Sequence, residues 1–296
     1  MKDHRTVCFY HSRDLDGWAS AAIVLKAHPH VMLIGWDYGS PIPLELIDTA
    51  DDIFIADICF PTEIMNQIHF SGKGFIWCDH HETSIKLSKE HPFGSCAGIR
   101  DINYGACELT WMELFPKDPM PEAIEYLGAY DCFRHKKQEM LYSHTVMKFQ
   151  WAARAFIEGP EDAKNMLLDS PPVISDWLHS GFAIKNYLDV EAKSIYKSAF
   201  PVFWHGHMML FINRDRFNPI NFGIDYHKQG FAVFGCFCLK GGKWTFSLYN
   251  DDGKVNVAEI CEAEGGGGHA GAAGFVKPAE WITELFRYAT IGGSKG

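Results

Sequence analysis

The sequence has no apolar run approaching the roughly 20 residues that a membrane-spanning helix needs. No membrane partner is therefore expected. It also lacks any C-x-x-C pair. Its nine cysteines stand apart except for Cys236 and Cys238, which alternate within a strand-like run. An odd number without framework spacing argues against a disulfide scaffold and for buried, reduced thiols. The opening MKDHRTVCFYH shows no signal-peptide pattern, which with the cysteine usage points to a cytoplasmic protein. Positive charge is scarce: 27 Lys and Arg face 37 Asp and Glu, for a net charge of −10. That argues against a broad basic surface for long duplex DNA, whose affinity comes from many phosphate contacts. A small phosphorylated ligand at one local site is compatible with it. There is no internal repeat, and the only low-complexity stretch is the glycine run at 265–268.

What is present is enough for a substantial core. The 296 residues are 47% hydrophobic and 22% charged, and their number allows one large domain or two ordinary ones. VCFYH (7–11), VMLIGW (31–36), IFIAD (53–57) and FIWCD (75–79) read as buried strands. GWASAAIVLKAH (17–28) and PTEIMNQIHF (61–70) read as helices, the latter with Pro61 at its start. This alternation predicts an α/β domain with a mostly parallel sheet flanked by crossover helices. From 104 to about 170 the pattern is helical, and the Pro-Pro pair at 171–172 breaks it. Ile184, Leu188, Ile195 and Ala199 fit one amphipathic helix joining two halves. Beyond it, FPVFWHG, HMMLFIN, FAVFGCFCLK and KWTFSLYN read as strands, with Gly241-Gly242 as a hairpin turn. VNVAEICEAE and AEWITELFRYA read as helices, and the closing GGSKG as loose. The expected organisation is a domain over 1–180, a helical linker over 181–200 and a smaller α+β domain over 201–296.

Three apolar strands end in a potential ligand: His11, Asp57 and Asp79. In open α/β sheets functional groups gather outside the carboxyl ends of the strands. An acid is costly inside a buried strand but tolerable at its tip, where a cation or solvent meets it. In HSRDLDG (11–17), His11, Asp14 and Asp16 fall in a strand-to-helix turn and converge. The competing reading is that Asp14 or Asp16 caps the helix beginning near Gly17. In DHHE (79–82) one acid precedes two adjacent imidazoles, expected to point apart so that one binds metal while the other faces substrate. Asp131, in YLGAYDC, ends a helical run where an anion is disfavoured, a misfit that a metal ligand would produce. Hard oxygens and imidazoles without a thiolate suit Mn²⁺ or Mg²⁺ better than structural zinc. Two such cations, about 3.5–4 Å apart, would neutralise the acids and can bridge a hydroxide for attack on phosphorus. Cys59, Cys78 and Cys132 lie beside ligand candidates and read as packing residues. In GGGGHAGAAGF (265–275), Gly266, Gly267 and Gly268 allow close backbone approach to a phosphate, and His269 adds a donor. A flexible connection is the alternative there.

Taken in order, HSRDLDG, the Asp of IADIC, DHHE, the Asp of YDC and the terminal GGGGHAGAAGF resemble the DHH/DHHA1 phosphoesterases. That superfamily includes RecJ-like exonucleases, nano-RNases and cyclic-dinucleotide phosphodiesterases. The resemblance covers most of the chain. It implies that the first domain is a DHH catalytic, metal-binding domain and the second a DHHA1 substrate-binding domain. It implies that His11 and Asp14 bind one manganese, that Asp16, His80 and Asp131 bind the other, and that Asp57 bridges them. Asp79 would orient the neighbouring imidazole, and His81 would face the scissile phosphate as a charge stabiliser or proton donor. Gly267, Gly268 and His269 would clamp the far phosphate or sugar. Two departures stand out. Two residues separate His11 from Asp14 where several relatives have three, and SLYN (247–250) puts Tyr249 where relatives often carry an Arg. Tyr249 is either a base-stacking ring or a strand-core residue. Arg214 and Arg216 are either replacement phosphate ligands or solvated loop residues.

The implied function is manganese-dependent hydrolysis of phosphodiester bonds in short oligonucleotides, dinucleotides or cyclic nucleotides, in a cleft between the two domains. A phosphomonoesterase acting on phosphoadenosine phosphate is an alternative. So is a non-catalytic nucleotide-binding module, which predicts a missing ligand or a missing His81. A purely structural metal protein would leave the glycine-His motif without a purpose. Cleavage polarity and oligomeric state are not fixed by the sequence.

Overall fold

The computed structural model describes residues 4–171 and 173–288, so Pro172 and the closing GGSKG lie outside it. The chain divides into two compact units between Lys185 and Asn186, inside one long helix.

In the first unit β1 (Thr6–His11), β2 (Met32–Trp36), β3 (Asp52–Ala56) and β4 (Gly74–Cys78) form one sheet of order β2-β1-β3-β4. Every pairing in it is parallel. Parallel neighbours need crossovers, here α1 (Leu15–Ala27), α2 (Leu44–Thr49) and α3 (Thr62–Phe70). The runs VCF and IFIA are buried because helices cover both faces. Helix α1 is unusually small-sided, with Gly17, Ala19, Ser20, Ala21 and Ala22 all buried, which lets it lie close to its neighbours. After β4 the chain is helical: α4 (Glu82–Glu90), α5 (Ala106–Leu114), α6 (Glu122–Asp131), α7 (Met140–Phe156) and a short α8 (Pro160–Ala163). One apolar core joins α1 to these helices through Ile23, Trp111, Leu127 and Phe149. A second fills one sheet face around Phe9, Ile55 and Trp77, and on the other face Cys8 and Phe54 pack with Val24 and Leu25 of α1. Because β1, β3 and β4 run parallel and in register, His11, Asp57 and Asp79 leave the sheet at one edge.

Helix α9 (Ile174–Tyr196) contains the expected connecting pattern, though Ala199 falls beyond its end. The second unit is a mixed sheet of order β5-β6-β7-β8-β10-β9, with only β6 and β7 parallel among the described strands. Its strands are β5 (Phe200–Trp204), β6 (His207–Asn213), β7 (Val233–Lys240), β8 (Lys243–Tyr249), β9 (Gly267–His269) and β10 (Ala272–Pro278). Gly241 and Gly242 both have positive φ, as the hairpin turn requires. Helices α10 (Val257–Ala263) and α11 (Ile282–Arg287) contribute to a core centred on Phe211, Phe246 and Phe275.

Two of the motifs of the second unit lie on strands. The glycine-His stretch is not a free loop, since Gly267–His269 pairs with Ala272–Gly274 as an edge strand. Glycine is depleted in strands, so the run carried no strand signal. It is tolerated because the backbones nearly touch: a Cβ on Gly268, at φ +146°, would lie 2.6 Å from the Ala273 Cα. Close approach is therefore to the protein's own sheet at Gly266 and Gly268, while Gly267 faces open space. Tyr249 packs with the buried Phe234 and Cys236, which favours its strand-core reading.

Candidate metal centre

The edge where β1, β3 and β4 end collects the first-unit candidates. Asp14 caps α1 from an extended backbone, its Oδ1 accepting the Gly17 N–H at 2.9 Å. Its Oδ2 lies 2.6 Å from His11 Nδ1. Capping and convergence on His11 are thus both realised, one by each oxygen. Asp16 caps a different helix. Its carboxylate, almost wholly buried, accepts the Ala106 N–H at 2.7 Å and the Cys107 N–H at 2.9 Å from the start of α5. Asp57 follows β3 rather than ending it, at φ +62°. A left-handed non-glycine residue costs roughly 1–3 kcal/mol and persists where the surroundings over-determine it.

His80 sits at the middle of the arrangement. Its Nε2 is 3.1 Å from Asp131 Oδ2, 3.4 Å from Asp57 Oδ1 and 3.8 Å from Asp16 Oδ2. On the other side, Asp57 Oδ2 lies 3.4 Å from His11 Nδ1. Three groups of potential ligand atoms result: His11–Asp14–Asp57, Asp16–His80–Asp131 and Asp57–His80–His81. The adjacent imidazoles do not point apart as expected. On the tight turn from β4 into α4 their ring centroids are only 4.7 Å apart. The buried Asp79 orients His81, with Oδ1 2.7 Å from its Nδ1, and the same oxygen accepts both backbone N–H groups of the pair.

Several of these polar atoms are buried without a hydrogen-bond partner: His11 Nδ1, both oxygens of Asp57, Asp79 Oδ2 and His80 Nε2. Buried polar atoms are normally hydrogen-bonded, and a carboxylate without such bonds needs opposite charge close by. Oxygens and imidazole nitrogens facing one another at contact distance without hydrogen-bond geometry form a donor set for hard divalent cations. The residues present therefore fit such ions. Cys59, Cys78 and Cys132 enter none of the three groups, and all nine cysteines are free.

The charges are strongly coupled to burial. Burial pushes the Asp57 carboxyl up, but His11, His80 and His81 outweigh it and hold the group well below the carboxylate range. Burial, reinforced by the Asp57 and Asp131 charges, pushes Asp14 up to about 6 and Asp16 well above its ordinary value. Burial opposes the charged form of the imidazoles, yet the facing carboxylates raise His11 to about 11 and His80 to about 12. Against the same opposition, Asp79 raises His81 to about 9. Protons and divalent cations thus compete for the same nitrogens.

Gly266, Gly267, Gly268 and His269 lie in the second unit, on and beside its edge strand. One set of neighbours escaped the sequence reading. Asp37, just past the end of β2, holds Arg13 Nε at 2.6 Å and lies 3.6 Å from His11 Nε2. Tyr38 follows, its hydroxyl accepting the Cys59 N–H at 3.1 Å. The strand-tip pattern that marked Asp57 and Asp79 recurs in VMLIGWD and would have found Asp37.

No protein-family model matches the chain. An uncharacterized protein, R106, of Acanthamoeba polyphaga mimivirus is 24% identical over 306 residues, covering 92% of this chain and 68% of that protein. Among solved structures, RecJ of Thermus thermophilus in complex with Mn²⁺ aligns over 96% of this chain and 51% of its own, at 14% identity and a TM-score of 0.49. The pGpG-specific phosphodiesterase PggH of Vibrio cholerae aligns over 96% and 97%, at 12% identity and a TM-score of 0.47. The chain resembles the DHH/DHHA1 phosphoesterases in its motifs, and the first-unit residues that carry the resemblance are the ones gathered at this sheet edge.

Proposed function

We propose that the chain is a divalent-cation-dependent phosphoesterase that hydrolyses phosphodiester bonds in short oligonucleotides, dinucleotides or cyclic nucleotides. Mn²⁺ is the favoured cation and Mg²⁺ the alternative. The observation that carries this reading is the Asp57 carboxylate. It is 1% exposed, neither oxygen is hydrogen-bonded, and each lies 3.4 Å from a different imidazole. On this reading His11 and Asp14 hold one cation, Asp16, His80 and Asp131 hold the other, and Asp57 reaches both.

The cations would supply Lewis acidity and a water of lowered pKa next to phosphorus. The protein's own groups do the rest. Asp79 orients His81 through Nδ1, and on this reading the ring is turned to a phosphate oxygen. Asp79 favours the protonated form of His81, which can then deliver that proton to the leaving oxygen. Asp16, clamped by two amides, and Asp57, set by its backbone, keep their positions as substrate comes and goes. In the second unit, Gly266–Gly268 and His269 bind a distal phosphate or sugar. A net charge of −10 suits small substrates better than long duplexes.

The test is a substrate panel with manganese-loaded protein, read by chromatography: cyclic dinucleotides, cyclic mononucleotides, RNA and DNA dimers to pentamers, and phosphoadenosine phosphate. Products from none of them would reject the reading. Release from phosphoadenosine phosphate alone would make the protein a phosphomonoesterase. The non-catalytic reading predicts loss of a ligand or of His81, whereas the sequence retains His11, Asp14, Asp16, Asp57, His80, His81 and Asp131.

A further inference from the structure

Two of the candidate ligands, Asp16 and Asp131, come from chain segments far apart in sequence, and one partly buried ion pair links the segments that carry them. Glu108, on the first turn of α5, is 1% exposed. Arg134 reaches it from just beyond the end of α6 with a two-pronged contact, Nη2 to Oε1 at 2.7 Å and Nη1 to Oε2 at 3.0 Å. Arg134 Nη1 also donates to the Asn103 carbonyl at 2.9 Å, and its guanidinium lies 5.2 Å from the Tyr104 ring. Glu108 in turn accepts the Gly105 N–H at 2.9 Å. The amides that grip Asp16 belong to Ala106 and Cys107, between Gly105 and Glu108. Asp131 is the last residue of α6, three positions before Arg134. The pair therefore ties the amide clamp of one ligand to the turn that carries the other. The packing leaves it no slack: a Cβ on Gly128, in α6, would lie 2.2 Å from Glu108 Oε2.

We propose that Glu108 and Arg134 are positioning residues for the Asp16–His80–Asp131 group, setting the affinity of that cation site separately from the His11–Asp14–Asp57 site. The inference rests on the two-cation reading above and adds the residues that govern one half of it. Neither side chain needs to touch a cation or substrate. They act by holding the Asp16 clamp and the Asp131 turn at a fixed separation. A planar guanidinium does this as an ammonium cannot, because both prongs are engaged.

The test is a Mn²⁺ titration of the full chain by calorimetry and electron paramagnetic resonance, which needs no turnover. Wild type is expected to bind two ions per chain with a spin-coupled signal. Arg134→Lys and Glu108→Gln should keep one site at wild-type affinity, weaken the other about 10- to 100-fold, and lose the coupled signal at limiting metal. Breaking one partner of a buried pair can unfold a protein, so the double variant Glu108→Gln with Arg134→Met leaves no lone buried charge. Gly128→Ala displaces Glu108 without changing any charge. Both should give the same selective loss while circular dichroism remains native. If the two sites weaken equally, or neither weakens in folded variants, the pair is merely structural and the proposal is overturned. If wild type itself binds fewer than two ions, the two-cation reading fails and takes this inference with it.

Discussion

A Cβ on Gly17 would lie 2.1 Å from the carbonyl oxygen of His11, so the first turn of α1 can seat against the end of β1 only as glycine. That contact sets Asp14 beside the His11 imidazole, while Asp16 turns instead to His80 and the amides of α5. In an ordinary helix Gly→Ala gains about 1 kcal/mol. Here Gly17→Ala should instead lose roughly 1–3 kcal/mol, the usual result of overpacking, and should weaken metal binding as well. Thermal unfolding and Mn²⁺ titration read the two effects. A variant more stable than wild type with unchanged affinity would show that the contact yields without moving the site.

Asp57→Ala should reduce turnover by on the order of 10³-fold or more, because among the described residues no other carboxylate faces both imidazoles. Asp57→Asn tests charge at nearly constant shape and should also fail, since an amide offers one acceptor oxygen where the proposed bridge needs two. Metal content after dialysis should fall in both. Near-native activity with full metal content would reject the bridging assignment.

Much of this centre is legible in the sequence because its signals are local. Apolar runs ending in His11, Asp57 and Asp79 mark strand tips, and Asp131 is conspicuous as an acid at a helix C-terminus. The Glu108–Arg134 pair is not legible in that way. Within GACELT, Glu108 reads as an exposed first-turn acid, and its burial depends on an arginine 26 positions away that no local pattern foretells. The edge strand at Gly267–His269 is hidden for a similar reason, because its glycines answer to the backbone of Ala273 across the sheet. Local chemistry is written in short stretches, whereas support from distant segments is fixed only by the fold.

His81→Gln should lower kcat by about 10²- to 10⁴-fold, the range for losing a general acid, with metal content unchanged. An acid works while protonated, so activity should fall as pH rises through the His81 pKa, about 9 before nearby cations draw it lower. Asp79 supplies the main upward pull, with Asp57 adding to it and His80 opposing. Asp79→Asn should therefore move the falling limb of the kcat profile to lower pH. A limb unmoved by Asp79→Asn would assign that titration to another group.

The proposed role of His269 is to bind substrate without taking part in the chemistry, so His269→Ala should chiefly raise KM. Gly268→Ala should do the same and also destabilise, given the φ of +146° and the closeness of Ala273. Steady-state kinetics on the best substrate of the panel separates the cases. A fall in kcat at constant KM for His269→Ala would place the imidazole at the transition state.

Cation affinity should itself depend on pH, in a direction set by the two imidazoles. Asp14 and Asp57 raise His11 to about 11, and Asp131 with Asp57 raises His80 to about 12, in each case against the opposing effect of burial. Both rings are therefore protonated at neutral pH unless a cation displaces the proton. Binding must release protons, so the logarithm of the Mn²⁺ association constant should climb between pH 6 and 9, by about one to two for each pH unit. Asp14, raised to about 6, adds a further proton at the acidic end of that window. Calorimetry in buffers of different ionisation enthalpy counts the protons directly. His11→Ala should flatten the climb for one site and leave the other intact, and a pH-independent constant in wild type would mean that neither imidazole is a ligand.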